Sequence, residues 1–184
     1  PPRESRVHSL GPPRRARGEG GGPGLRVVEE GSDAPQVLAA EGRIPIPNVN
    51  PVVTPINIVA PGHYILTRNL KSNAAGPVIN IAVAANGADV DLDLNGFILD
   101  GTPNPGFPVI QLNAVGGSTN EVTIRDGALQ GGTNAVALTG FLPGSIRKLV
   151  IQNIRAGGTS GDVLWIVGDV YNTIIRNCVI ADAG

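Results

Sequence analysis

The sequence predicts an all-β fold: a right-handed parallel β-helix, or solenoid, with N-terminal capping strands and a disordered leader. Three observations point there. The chain has 184 residues, of which 41% are hydrophobic but only 3% aromatic, so a core must come from Val, Ile, Leu and Ala. Its 26 Gly and 16 Pro punctuate short β-branched runs, the pattern of many short strands. Two separate strand series then recur with nearly the same period, the mark of a repeat architecture.

Taken in order, residues 1 to 43 read as a leader. "PPRESRVHSLGPPRRARGEGGGPG" (1 to 24) holds too little apolar surface to offset its ordering entropy and is expected to be disordered. Its arginines Arg3, Arg6, Arg14, Arg15 and Arg17 offer a site for an anionic partner. A short helix is expected around Pro35 to Glu41. Residues 44 to 55, "IPIPNVNPVVTP", are extended, because each Pro pushes its predecessor out of the helical region. "INIVAPGHYILTRNL" from Ile56 reads as strand, Pro-Gly turn, strand, and residues 44 to 70 are assigned as the extended segment and the cap strands.

Coils are expected over residues 71 to 184. "VDLDLNGFILDG" (90 to 101), "VTIRDGALQGG" (122 to 132), "LVIQNIRAGG" (149 to 158) and "TIIRNCVIADAG" (173 to 184) align on Asn95, Asp126, Asn153 and Asn177, at spacings of 31, 27 and 24 residues. A second series, "PVINI", "PVIQL", "AVAL" and "VLWI", aligns on Ile79, Ile110, Val136 and Leu164. Within each copy apolar residues alternate. Val90, Leu92 and Leu94 face inward, followed by Val122 and Ile124, Leu149 and Ile151, then Thr173 and Ile175; Asp89, Asp91 and Asp93 face outward. One copy cannot close a core, but copies stacked at about 4.8 Å bury continuous aliphatic columns. The column Asn95, Asp126, Asn153, Asn177 is a structural turn ladder, since Asn and Asp tolerate the left-handed conformation and can bond along the stack.

Composition sets outer bounds on function. The formal net charge is −1, which suggests neither a nucleic-acid nor a polyanion binder. The single Cys178 excludes an intrachain disulfide framework. No run is long and apolar enough for a membrane-spanning helix, and no signal peptide is visible. The first residue is Pro1 and the repeat runs to Gly184, so a piece of a longer protein, truncated at its C-terminal end, is expected.

"APGHYILTRNL" followed by "VDLDLNGFILDG" resembles the first coils of the pectate-lyase-like superfamily of right-handed parallel β-helices, in particular its uncharacterised bacterial members. The resemblance covers residues 56 to 184. It implies a secreted or cell-surface protein that binds or processes polysaccharide, and it brings Ca²⁺ into consideration as a cofactor. If the chain is an enzyme, it implies a lyase rather than a hydrolase, with the site possible on coils beyond Gly184.

The residues allow those roles to be placed. Asp91 and Asp93 are the candidate metal ligands, because hard cations need several carboxylate oxygens. Yet alternate residues on one strand share an ion poorly, and the neighbouring columns (Thr123, Val150 and Ile174; Arg125, Gln152 and Arg176) add no carboxylate. The competing reading is a polar outer face with an Asp93–Arg125 pair between coils. Arg125 and Arg176, in one outward column about 10 Å apart, are the candidate catalytic bases, or contacts to acidic sugars. The paired carboxylates and Gly-His-Gly element of hydrolase members are absent, since the histidines are only His8 and His63. Trp165 falls in the outward column Asn80, Gln111, Ala137, Trp165, where it would stack on a sugar unless a loop covers it. Cys178 is expected as an inert interior thiol. No nucleotide loop, zinc spacing or nucleophile elbow is present.

Two functions follow: a secreted or surface β-helix that binds or processes polysaccharide, or a non-catalytic structural or adhesive β-solenoid. Charged side chains gathered in one groove across coils would favour the first; read linearly, they look scattered. Neither nucleic acid nor membrane insertion is expected. An uncapped last coil would expose strand edges, so self-association is expected there.

Overall fold

The computed structural model describes residues 42 to 46, 51 to 73, 75 to 83, 87 to 113, 118 to 139 and 145 to 181. The leader and its expected helix at Pro35 to Glu41 lie outside the described residues. What is described is all-β, with parallel strands stacked as a solenoid of about four turns.

The fifteen strands of the described residues build three stacks. The first stack contains β1 (Arg43–Pro45), β3 (Gly62–Ile65), β6 (Asp89–Asp93), the first halves of β9 (Ser118–Gln130) and β11 (Ser145–Gly157), and β13 (Asp169–Val170) with β14 (Thr173–Arg176). The second stack contains β4 (Leu70–Lys71), β7 (Ile98–Asp100), the second halves of β9 and β11, and β15 (Val179–Ala181). The third is a separate sheet of β2 (Ile56–Ile58), β5 (Ile79–Ile81), β8 (Ile110–Leu112), β10 (Val136–Thr139) and β12 (Leu164–Val167). Every pairing is parallel, so each strand lies beside its copy one coil away rather than beside its chain neighbour.

The register is the one the repeats predict. Asp91, Thr123, Val150 and Ile174 form one column; Asp93, Arg125, Gln152 and Arg176 form another. Ile79, Ile110, Val136 and Leu164 align in the third stack. Inside, Leu92, Ile124 and Leu149 are fully buried, as are Leu99 and Leu129, and Ile79 and Ile110. Among the described residues the one buried charged side chain is Asp93, which faces outward onto Arg125 rather than into the aliphatic columns. Parallel pairing already runs through the segment assigned to the cap: β1 pairs with β3, Val52 bridges Ser72, and β2 pairs with β5, so its described residues stack beneath the first repeat.

Turns between the first and second stacks are centred on one Asn or Asp per coil, joined by Gly96 in the first. Asn95, Asp126, Asn153 and Asn177 are the only described non-glycine residues with positive φ, at 51°, 61°, 54° and 53°. Gly127 follows on the inside of the bend, where a Cβ would lie 2.6 Å from the Phe97 carbonyl oxygen and collide with Leu94. In β9 and β11 a single residue thus bends the strand sharply without interrupting it, whereas at Asn95 and Asn177 the corner separates two strands.

Candidate functional site

Two outer faces carry the polar chemistry, and they differ in kind. On the first stack the charges that look scattered in sequence come together, because residues about 30 apart lie one rung apart. Arg125 is the hub. Its Nε donates to Asp91 Oδ1 at 3.0 Å, its Nη2 meets Asp93 Oδ2 at 2.8 Å, and its Nη1 donates to Asp126 Oδ2 at 2.7 Å. His63 Nδ1 lies 3.2 Å from the other oxygen of Asp91. One coil on, Lys148 Nζ donates to Glu121 Oε2 at 2.8 Å. Arg176 Nε donates to Gln152 Oε1 at 2.7 Å. A shallow cleft of about 370 Å³ runs along this face past His63, Asp91, Glu121 and Arg125.

The electrostatics follow from that pairing. The hydrogen bond to Asp91 holds the Arg125 guanidinium well above its ordinary range; partial burial works against it, and Asp126 and Asp93 add to the rise. The Asp126 carboxyl is held below its ordinary range, first by the hydrogen bond from Asn153 and then by Arg125, with burial opposing. The turn ladder carries this along the stack: Asn153 Nδ2 donates to Asp126 Oδ1 at 2.7 Å, and Asn177 Nδ2 to Asn153 Oδ1 at 3.2 Å. Asn95 leaves the ladder and donates instead to the Leu66 carbonyl of the coil below, at 3.3 Å. Its own backbone N–H is satisfied by Asp93 Oδ1 at 2.7 Å.

These contacts decide how the expected site residues are used. Asp91 and Asp93 do point to one cation, but it is the guanidinium of Arg125. The Asp93–Arg125 pair is present, and Asp91 joins it because the long Arg side chain reaches two positions along the strand. Ca²⁺ takes six to eight oxygens. Here both carboxylates already serve Arg125, and among the described residues no group of three or more His, Cys, Asp or Glu side chains is placed to hold a metal. This donor set does not fit Ca²⁺. Arg125 is also poorly suited to take a proton, since three carboxylates stabilise its charged form. Arg176 faces solvent on Gln152, away from those carboxylates.

The third stack presents the other face. Its outward column is Asn57, Asn80, Gln111, Ala137 and Trp165, in unbroken register. Asn80 Nδ2 donates to Asn57 Oδ1 at 2.8 Å, and Asn113 Nδ2 donates to Asn80 Oδ1 at 2.6 Å. Gln111 Nε2 donates to Thr139 Oγ1 at 2.7 Å and to the Ala137 carbonyl at 3.2 Å. Trp165 ends the column with 47% of its surface open to solvent, so no described loop covers it. Ala137 beneath it is buried, leaving the indole standing above a small neighbour. The amide ladder thus runs Asn57, Asn80 and Asn113, with Gln111 bonding onward to the next coil; its sequence signal is the same-register Asn57, Asn80 and Gln111 with Asn113 two positions further.

Cys178 is half-buried at the edge of the core, with its thiol 3.6 Å from the Ile151 carbonyl oxygen. It sits in the interior column of Gly127 and Ile154, as expected, but the last coil leaves that column only partly covered. Among the described residues no helix is long and apolar enough to cross a membrane. Comparison of the chain with protein-family models, with curated proteins and with solved structures finds no match in any of the three.

Proposed function

We propose that this chain is a β-helix of the pectate-lyase-like kind, secreted or exposed at a cell surface, that binds polysaccharide through these coils. The single observation that carries the reading is Trp165: a solvent-exposed indole at the end of a flat column of amide side chains. An aromatic face offers apolar area to the C–H face of a pyranose, while amides offer donors and acceptors to its hydroxyls. Binding is favoured over processing on these coils because the two candidate bases do not form a proton-abstracting site: Arg125 is neutralised by Asp91, Asp93 and Asp126, and Arg176 rests on Gln152.

The second reading, a structural or adhesive solenoid, draws support from the first stack, whose outer charges are largely spent on one another. Affinity electrophoresis separates the two. The chain is expected to be retarded in gels that contain polysaccharide, with no rise in ultraviolet absorbance from unsaturated products, with or without Ca²⁺. Absence of retardation by every polymer would leave the scaffold reading; a rise in absorbance would make the protein a lyase.

A further inference from the structure

Charge is segregated around the solenoid. The outward column of the third stack, Asn57 to Trp165, contains no charged residue. Two positions further along the same strands lie Val59, Ala82, Asn113, Thr139 and Val167, again without a charge. In the sequence, the segments that follow the third-stack strands at 82 to 88, 113 to 117 and 139 to 144 contain no Asp, Glu, Lys or Arg, while the one that follows β12 carries Asp169. The first stack, by contrast, carries Asp89, Asp91, Asp93, Glu121, Arg125, Lys148 and Arg176. Along the described column from Asn57 to Ala137 a ligand meets no charged side chain, and the exposed charges flanking β12 at the Trp165 end, Asp162 and Asp169, are acidic, so an acidic polymer gains no ion pair there and still loses hydration of its carboxylates.

What the face offers is oriented amides. Among the described residues, Asn80 uses one of its two amide hydrogens on Asn57 and one oxygen lone pair for Asn113, leaving one donor and one acceptor. Gln111 spends its amide nitrogen on the Ala137 and Leu112 carbonyls and Thr139, leaving Oε1 as an acceptor. The ladder fixes these groups before any ligand arrives, which lowers the ordering cost of binding. Each hydroxyl of a neutral sugar is both donor and acceptor, and matches that pairing. The column spans four rung spacings, about 19 Å along the axis, with the only Trp of the chain at one end.

Building on the polysaccharide-binding reading, we infer that the ligand is an uncharged polysaccharide, laid along the third stack over Gln111 and Asn80 and stacked on Trp165. This departs from the acidic sugars that Arg125 and Arg176 suggest. The alternative occupant, a second protein surface, is less well served, because amide side chains fill three of the five column positions.

Because Trp165 is the single tryptophan, its fluorescence reports on the site directly. The chain would be titrated with soluble neutral polymers (arabinoxylan, galactan, hydroxyethylcellulose) and with polygalacturonate and alginate, at low and high salt. Expected is a Trp165 emission change with a neutral polymer, unchanged by salt. Trp165→Ala and the Asn80→Ala/Gln111→Ala pair should each weaken retardation in neutral-polymer gels about tenfold or more, with Trp165→Tyr retaining most of it. Unaltered thermal unfolding of the variants guards against misfolding. Binding to polyuronates alone, lost at high salt and indifferent to Trp165→Ala, would overturn the neutral class while leaving polysaccharide binding intact. No binding to any polymer would overturn both.

Discussion

Asp126 and Arg125 show how a single residue serves two purposes on a solenoid. Asp126 takes the left-handed corner and also accepts from Asn153 and Arg125. Its folded-state carboxyl lies below the ordinary range, so its contribution is fully present above the unfolded pKa and disappears as pH falls through the folded one. A third of the side chain is open to solvent, which limits the effect to below about 1 kcal/mol. Urea midpoints measured between pH 5 and pH 2 should therefore fall less steeply in Asp126→Asn than in the parent. Identical slopes would remove Asp126 from the acid response. The sequence shows Asp126 as a turn residue and Arg125 as an outward cation. It does not show that the Arg side chain bends to three carboxylates at once, because that depends on side-chain reach and not on spacing.

At the scale of an element, the long strands β9 and β11 are each two strands joined by a corner residue. Asn153 holds φ at 54° in the middle of β11 and bonds to both neighbouring coils through its side chain. Ala at that position meets the left-handed steric penalty of about 1–2 kcal/mol and loses hydrogen bonds worth about 1 kcal/mol. Gly removes the penalty but not the lost bonds. Chemical denaturation should rank the parent above Asn153→Gly and Asn153→Ala last. Equal stability of the two variants would mean that the corner conformation costs nothing, against the assignment of a structural turn ladder. All four corners were legible beforehand because Asn or Asp recurs there in register. Asn95 was legible as a corner but not as the residue that bonds backward to Leu66, since the ladder partner below it is absent.

At the scale of the whole described solenoid, its first and last described turns differ from those between them. Of the large apolar residues exposed among the described residues, Ile44, Val53 and Val59 lie in the first turn, and Trp165, Tyr171, Ile175, Val179 and Ile180 in the last. Only Phe107 falls between. Ile175 and Ile180 belong to inward columns that are fully buried two coils earlier, at Ile124 and Leu129, yet they are 53% and 62% exposed. An apolar groove lined by Ile154, Leu164, Cys178 and Ile180 opens at this end. Exposed strand edges and uncovered columns favour association. Sedimentation of the 184-residue chain should show a weight-average coefficient that rises with concentration; a constant monomer value over a wide range would count against self-association through this coil.

The sequence by itself determined the solenoid, its period, its register and its corners. Alternation and recurrence are properties of spacing, and in a parallel stack spacing along the chain translates directly into position on the face. Only the tertiary structure decided what each outward residue does. Stacking brought Asp91, Arg125 and Asp126 into one network, linked Asn57, Asn80 and Asn113 into a ladder, left Trp165 open, and paired the strands at 43 to 45 and 56 to 58 with the coil above. Those outcomes depend on which side chains reach across a rung of about 4.8 Å and which are covered, and neither is encoded in the repeat.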